Sequence, residues 1–448
     1  MGVERWTLEF ARAEDAGEPD AFREGTQEYL VRRDDGSFEA LRWRWDAQLS
    51  ADLAALRVPG HDPALPRRLG DRLRSWIGGA IRLDSLADAC RRGARIELQI
   101  ASAAAELYAL PWELMTLPGS GAHLGALAEV QVSYRWPAAA CAPPRATPRP
   151  EGGRILLAWS RAFGPVPARP IAEAIAAAAR EGHVPWDIST DELADASLPA
   201  LVAAIERDAA RGAAPAVLHV LCHGAPIGGG YGLGLDDGRG GGVVVDSGAL
   251  ARALAPLAGH VRLVVLTACD SGDPGAPGTR LGSAAQELHR AGFEAVVASR
   301  LPLSGAGAVE LAAALYHGLL VETCAIDQAV AAARVRLLRR PGALDWASVQ
   351  LYRHPVAGGD RRPIVFRPYR GLLAFEGRHA RFFFGREPET AEVLGDLAAL
   401  VERGAPRLLV VAGASGTGKS SLVLAAVRPA LARGGWATAA LRPGAAPR

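Results

Sequence analysis

A thiol and an imidazole, side chains that together do nucleophilic chemistry, occupy matching places in this sequence. Cys269 follows the strand-like run 261–266 in VRLVVLTACDSG, and His223 follows another in AVLHVLCHG. A thiol is only a few per cent thiolate at neutral pH, so an imidazole that takes its proton raises the reactive fraction and can later protonate a leaving amine. The backbone amides of Gly224 and Cys269 are placed to donate to an oxyanion, glycine allowing close approach of a substrate. Taken alone, Cys269 reads as a buried structural thiol and His223 as a solvated strand-end residue. Their joint occurrence 46 residues apart leaves room for a loop, a covering helix and a return strand, and favours catalysis.

The neighbours are assigned lesser roles. Cys222, next to His223, points to the other side of the strand. His219 shares the parity of His223 but lies deeper, so a core role is expected. The chain contains no asparagine, so a third member of that kind is impossible. A carboxylate or a backbone carbonyl must orient the imidazole, or nothing does, and a dyad is the simplest reading. Between the pair, the segment APIGGGYGLGLDDGRGGG is expected to form a flexible hairpin near the cleft. Its Asp236 and Asp237 could face a basic substrate side chain, although solvated turn residues are the ordinary reading.

A second chemistry lies near the other end. LLVVAGASGTGKSS, residues 408–421, reads as a strand, the loop G-x-x-x-x-G-K-S and a helix. In that context glycine amides wrap phosphate oxygens, Lys419 reaches the outer phosphates and Ser420 can ligate magnesium. The expected nucleotide-binding residues are Gly413, Ala414, Ser415, Gly416, Thr417, Gly418, Lys419, Ser420 and Ser421. Of the 50 Lys and Arg residues only Lys419 is lysine, which agrees with a need for a compact ammonium instead of a guanidinium fork.

The elements that must position these groups are legible in outline. From 154 the text alternates apolar strands (RILLAWS, AVLHVLCHG, VRLVVLTAC, EAVVASRLPL) with helical stretches, which describes an α/β fold, a parallel sheet covered on both faces. Sites in such sheets form beyond the carboxyl ends of strands, where His223 and Cys269 both fall. Residues 1–140 mix strand-like text (WTLEF, FEALRWRWD, RIELQIAS) with helical text and read as an α+β region partly continuous with the main fold, with Trp43 and Trp45 in its core. A proline-rich linker at 141–153 follows, then the α/β domain at 154–358 and the phosphate-binding segment at 364–448.

Composition narrows the function classes. The chain has 448 residues, 49% of them hydrophobic, enough for about three domains. Fifty basic against 48 acidic residues are too balanced for a nucleic-acid footprint. Five cysteines, odd in number and with no CxxC pair, suggest neither a disulfide framework nor a zinc site. No segment reaches about 18 uncharged apolar residues and no signal peptide opens the chain, so a cytoplasmic location without membrane contact is expected.

The series ELYALPWELM, HVLCHG, VLTACDSG, LHRAGFEAVVASRLPLS and WASVQLY closely resembles the CHAT domain, a caspase-like cysteine peptidase fold of clan CD, over roughly residues 90–355. The resemblance implies that His223 and Cys269 are the catalytic positions and that the substrate is a protein. Thr267 and Asp270 stand where such domains often carry asparagine, and neither is the nucleophile. YRGLLAFEGRHARFFFGREPE, residues 369–389, resembles the leading segment of STAND-class NTPases, ATP-dependent switches in which FGRE, here Phe384 to Glu387, contacts the nucleotide base. The sequence ends 28 residues past Ser420, so a nucleotide domain cut short and unable to turn over ATP by itself is expected. The combined expectation is a cysteine endopeptidase that needs no cofactor, governed by a switch using ATP and Mg. The resemblance implies bacterial defence or cell-death signalling, a sensor or effector partner and oligomerisation through the NTPase. The alternative is a catalytically silent interaction module relaying assembly driven by the nucleotide. A small-molecule acyl transferase using the same dyad is a third reading.

Overall fold

The computed structural model describes residues 3–14, 22–33, 36–58, 60–78, 82–137, 141, 153–227, 230–268, 283–340, 343–355, 360–366, 368–369, 371–403 and 408–441. Fourteen strands are formed among them. The first five are β1 (Val3–Arg12), β2 (Gly25–Arg32), β3 (Phe38–Trp45), β4 (Arg95–Ser102) and β5 (Val130–Arg135). The next six are β6 (Arg154–Trp159), β7 (Glu192–Leu193), β8 (Pro215–Leu221), β9 (His223–Ile227), β10 (Gly230–Asp236) and β11 (Gly242–Val245). The chain then adds β12 (Leu263–Thr267), β13 (Ala295–Ser299) and β14 (Val349–Arg353).

Eleven strands make one sheet in the order β3-β2-β1-β4-β5-β14-β13-β12-β8-β6-β7. All seven residues of β8 and all five of β12 and of β13 are buried, as continuous apolar runs covered on both faces must be. The N-terminal region belongs to this sheet, since β5 pairs β14 in parallel at Tyr134 and Tyr352. Trp43 and Trp45 lie in the core as expected, Trp43 packing its ring 4.7 Å from that of Trp76.

The sheet is less uniformly parallel than the alternating pattern implies. β14 runs antiparallel to β13, because two helices (Gly305–Tyr316 and Ile326–Leu338) separate them. A single crossover helix returns the chain to the start of the sheet, whereas a helix pair leaves it at the end from which it departed. A buried ion pair fastens this return: Arg334 donates to Glu113 Oε1 at 3.1 Å and to the Val349 carbonyl of β14 at 2.6 Å. Tyr134 of β5 donates to the same carboxylate at 2.8 Å.

The glycine-rich segment forms antiparallel strands, the hairpin expected with a third strand added. β9, β10 and β11 form a separate antiparallel sheet, in which glycine permits close packing. A Cβ on Gly234 would stand 2.5 Å from the Phe163 ring, and one on Gly232 would stand 2.5 Å from the Val245 carbonyl oxygen. Asp236 and Asp237 take the ordinary role: their carboxylates accept the Gly238, Arg239 and Gly241 amides and shape the turn.

Candidate active site

β8 and β12 are neighbours, paired in parallel, and their last register pair joins Leu221 to Thr267. His223 follows Leu221 by two residues and Cys269 follows Thr267 by two. Cys269 itself, with Asp270 and the rest of 269–282, lies outside the described residues. After Leu221 the backbone breaks at the buried Cys222 and enters β9 at His223, with Gly224 paired to Leu233. His223 thus opens the small sheet above the carboxyl end of the large one instead of closing β8.

The loop after β6 reaches across to this histidine. Nε2 of His223 lies 3.1 Å from the Pro165 carbonyl oxygen. A carbonyl can only accept, so Nε2 carries the hydrogen of the neutral ring and Nδ1 keeps its lone pair. The orienting group is therefore a backbone carbonyl, one of the two kinds of partner the sequence leaves open. Gly164 makes the approach feasible: its φ is +132°, and a Cβ there would stand 3.2 Å from Nε2. The sequence signal for this contact is slight, a glycine between Phe163 and Pro165 just past a strand.

His219 confirms the depth argument. It is fully buried, Nδ1 lies 3.0 Å from the Tyr316 hydroxyl, and Nε2 meets Thr267 Oγ1. Burial pushes its pKa down to about 3, so it is neutral core. Four residues and one strand break separate it from His223, which is half-buried.

The second site is built more locally. Gly416 and Gly418 adopt φ of +82° and +85°, left-handed values that glycine reaches without strain. Lys419 Nζ donates to the Gly413 and Ala414 carbonyls, each at 2.7 Å, so the loop closes around the ammonium. Ser420 is exposed at the start of the following helical stretch, where a magnesium ligand would stand. Gly413 to Ser420 are the residues that would hold a nucleoside triphosphate. Ser421 instead turns inward, its hydroxyl accepting the Phe375 amide at 3.1 Å. Arg386 of the FGRE segment reaches the Thr417 carbonyl at 3.4 Å and pairs with Glu389 at 2.8 Å. The expected strand before the loop is not formed. Among the described residues none pairs with 408–414, and a strand needs a neighbour for its ladder.

A model of the CHAT domain family matches residues 67–354. The chain belongs to the CHAT family. A second family model, Novel STAND NTPase 1, matches 368–448, so a CHAT domain precedes a STAND NTPase segment. The CHAT match reaches back through β4 and β5, in keeping with their place in the one large sheet. No curated relative matches the sequence. Among solved structures, the Arg-specific cysteine proteinase gingipain R is similar at 10% identity, over 69% of this chain and 70% of that one, with a TM-score of 0.38. The complex of Porphyromonas gingivalis RgpB pro- and mature domains is similar at 9% identity, over 68% and 70%, with a TM-score of 0.36. A secreted C11 cysteine protease from Bacteroides thetaiotaomicron is similar at 13% identity, over 41% of this chain and 58% of that one, with a TM-score of 0.27. The CHAT domain is a mixed α/β fold built on one large, mostly parallel sheet. No helix among the described residues is long and apolar enough to cross a membrane.

Proposed function

We propose that the CHAT domain is a cysteine endopeptidase in which His223 activates Cys269. The observation that carries this reading is the Leu221–Thr267 register, which ends two adjacent parallel strands level with each other, two residues before the imidazole and the thiol. With Nε2–H held on the Pro165 carbonyl, Nδ1 is the base. It takes the thiol proton as sulfur attacks the scissile carbonyl carbon, and the Gly224 and Cys269 amides donate to the resulting oxyanion. The imidazolium then gives that proton to the departing amine as the C–N bond breaks. Water, deprotonated by the same nitrogen, hydrolyses the thioester and restores the thiol. The carbonyl replaces a carboxylate as the orienting group, fixing the tautomer without adding a negative charge.

The STAND segment supplies regulation in this reading. ATP with Mg would be held by the Gly413 to Ser420 loop, with Lys419 on the outer phosphates. The substrate is a protein, the setting cytoplasmic bacterial signalling, with a sensor or effector partner and oligomerisation through the NTPase. Cys269→Ala tests the core of the proposal. Cleavage of a peptide library should fall to background with the melting temperature unchanged, and cleavage that persists in the variant refutes it.

A further inference from the structure

Beside the loop that holds His223 the surface opens into a groove of about 900 Å³. Pro165 and Val166 line it beside the His223 loop, the helix Ala168–Glu181 contributes one wall, and Trp159 and Trp186 line it as well. Two polar atoms are out of keeping with this apolar lining. Trp186 Nε1 and Glu192 Oε2 are both buried and have no hydrogen-bond partner. The other oxygen of that carboxylate accepts the Trp159 indole N–H at 2.5 Å, which holds the group in place and leaves Oε2 free. A buried carboxylate oxygen without a donor is costly, and an incoming cation would remove that cost.

The charges around the groove favour the same occupant. Glu173, Asp187 and Glu192 line it against Arg161 and Arg169. Both arginines are already engaged, Arg161 with Asp195 at 3.2 Å and Arg169 with Glu173 at 3.0 Å. Glu192, held by the Trp159 indole, is the carboxylate left with an unused oxygen. Planar guanidinium groups stack on aromatic faces and pair with carboxylates, and their aliphatic stems suit an alanine-lined wall such as that of Ala168, Ala172 and Ala176.

We infer that this groove is the recognition site for an arginine side chain of the polypeptide substrate, with Glu192 as the specificity-determining carboxylate. The inference rests on the peptidase reading for its setting, because Pro165 belongs both to the groove and to the support of His223. Asp236 and Asp237, the acidic pair that the sequence offered for a basic side chain, are spent on their own turn, whereas Glu192 is not.

The test separates recognition from turnover. Fluorescent peptide mixtures with one fixed position, arginine or its neutral isostere citrulline, are titrated onto full-length Cys269→Ala protein and followed by anisotropy. The arginine mixture should bind at least tenfold more tightly than the citrulline mixture. Glu192→Gln, which keeps an acceptor for Trp159, should erase the difference. Equal binding of the two mixtures by the Cys269→Ala protein overturns the inference, even where Glu192→Gln fails to fold, and so does a difference that survives in a folded Glu192→Gln variant. Cleavage by the wild-type protein is followed in parallel. Preferential arginine binding without cleavage would count against the peptidase and leave the groove assignment standing.

Discussion

The carboxyl end of the large sheet and the phosphate loop each present one chemically distinctive side chain just past an apolar run, yet they are built in opposite ways. His223 owes its place to distant parts of the chain: β8 sits between β6 and β12, and the ring is held by Pro165, 58 residues away. Lys419 owes its place to its immediate neighbours, the carbonyls five and six residues before it and two left-handed glycines. The apolar runs behind them differ accordingly. β8 is wholly buried, while Leu408 and Val410 are 76% and 73% exposed. A phosphate loop is a local backbone shape that sequence can specify alone, whereas a strand tip is a position only a finished sheet provides.

That contrast can be broken or sharpened by substitution, the largest effect falling in the sheet. Arg334→Ala should strip Glu113 of its buried partner, and unfolding by urea should show a loss of about 3–5 kcal/mol. A loss under about 1 kcal/mol would mean that the helix-pair return to β14 does not depend on this ion pair. His219 supplies a pH-dependent counterpart. Its folded pKa of about 3 lies below the ordinary histidine value, so the unfolded chain binds the proton first as acid is added. Stability is full above about pH 6.5 and falls by about 1.4 kcal/mol per unit below it. Comparing urea midpoints at pH 7.5 and 5 should show a steeper fall for the parent than for His219→Gln, and equal slopes would contradict the assignment. The smallest effect belongs to the phosphate loop. Lys419→Ala should leave the unfolding free energy from urea titration within about 0.5 kcal/mol of the parent, and a large drop would show that the loop supports the CHAT domain.

The same division explains what the sequence discloses. The runs at β8, β12 and β13 are mostly apolar text, broken in β8 only by His219, and neighbouring strand tips follow from their order. The turns of the phosphate loop are legible in its glycines, whereas the inward bond of Ser421 to Phe375 depends on a segment 46 residues away. β9, β10 and β11 are legible only as a hairpin, because glycine in a strand carries no side-chain pattern, and Gly234 and Gly232 answer to Phe163 in the loop after β6 and to Val245 of β11. Pro165 is hidden for a different reason: it acts through a backbone carbonyl, which every residue possesses. Glu192 carries no motif, and only its unpaired oxygen in an apolar groove marks it out.

The central claim, that His223 lowers the barrier to thiolate formation at Cys269, is tested most directly by the rate at which that one cysteine is alkylated. Iodoacetamide labelling at pH 7, read by mass spectrometry at residue 269, should be at least tenfold slower in His223→Ala than in the parent. Labelling of Cys90, Cys141 and Cys324, whose pKa values are each raised to about 11 by burial, should be slow in both proteins. An unchanged rate at Cys269 would contradict the account, because the imidazole would then have no hold on the thiol.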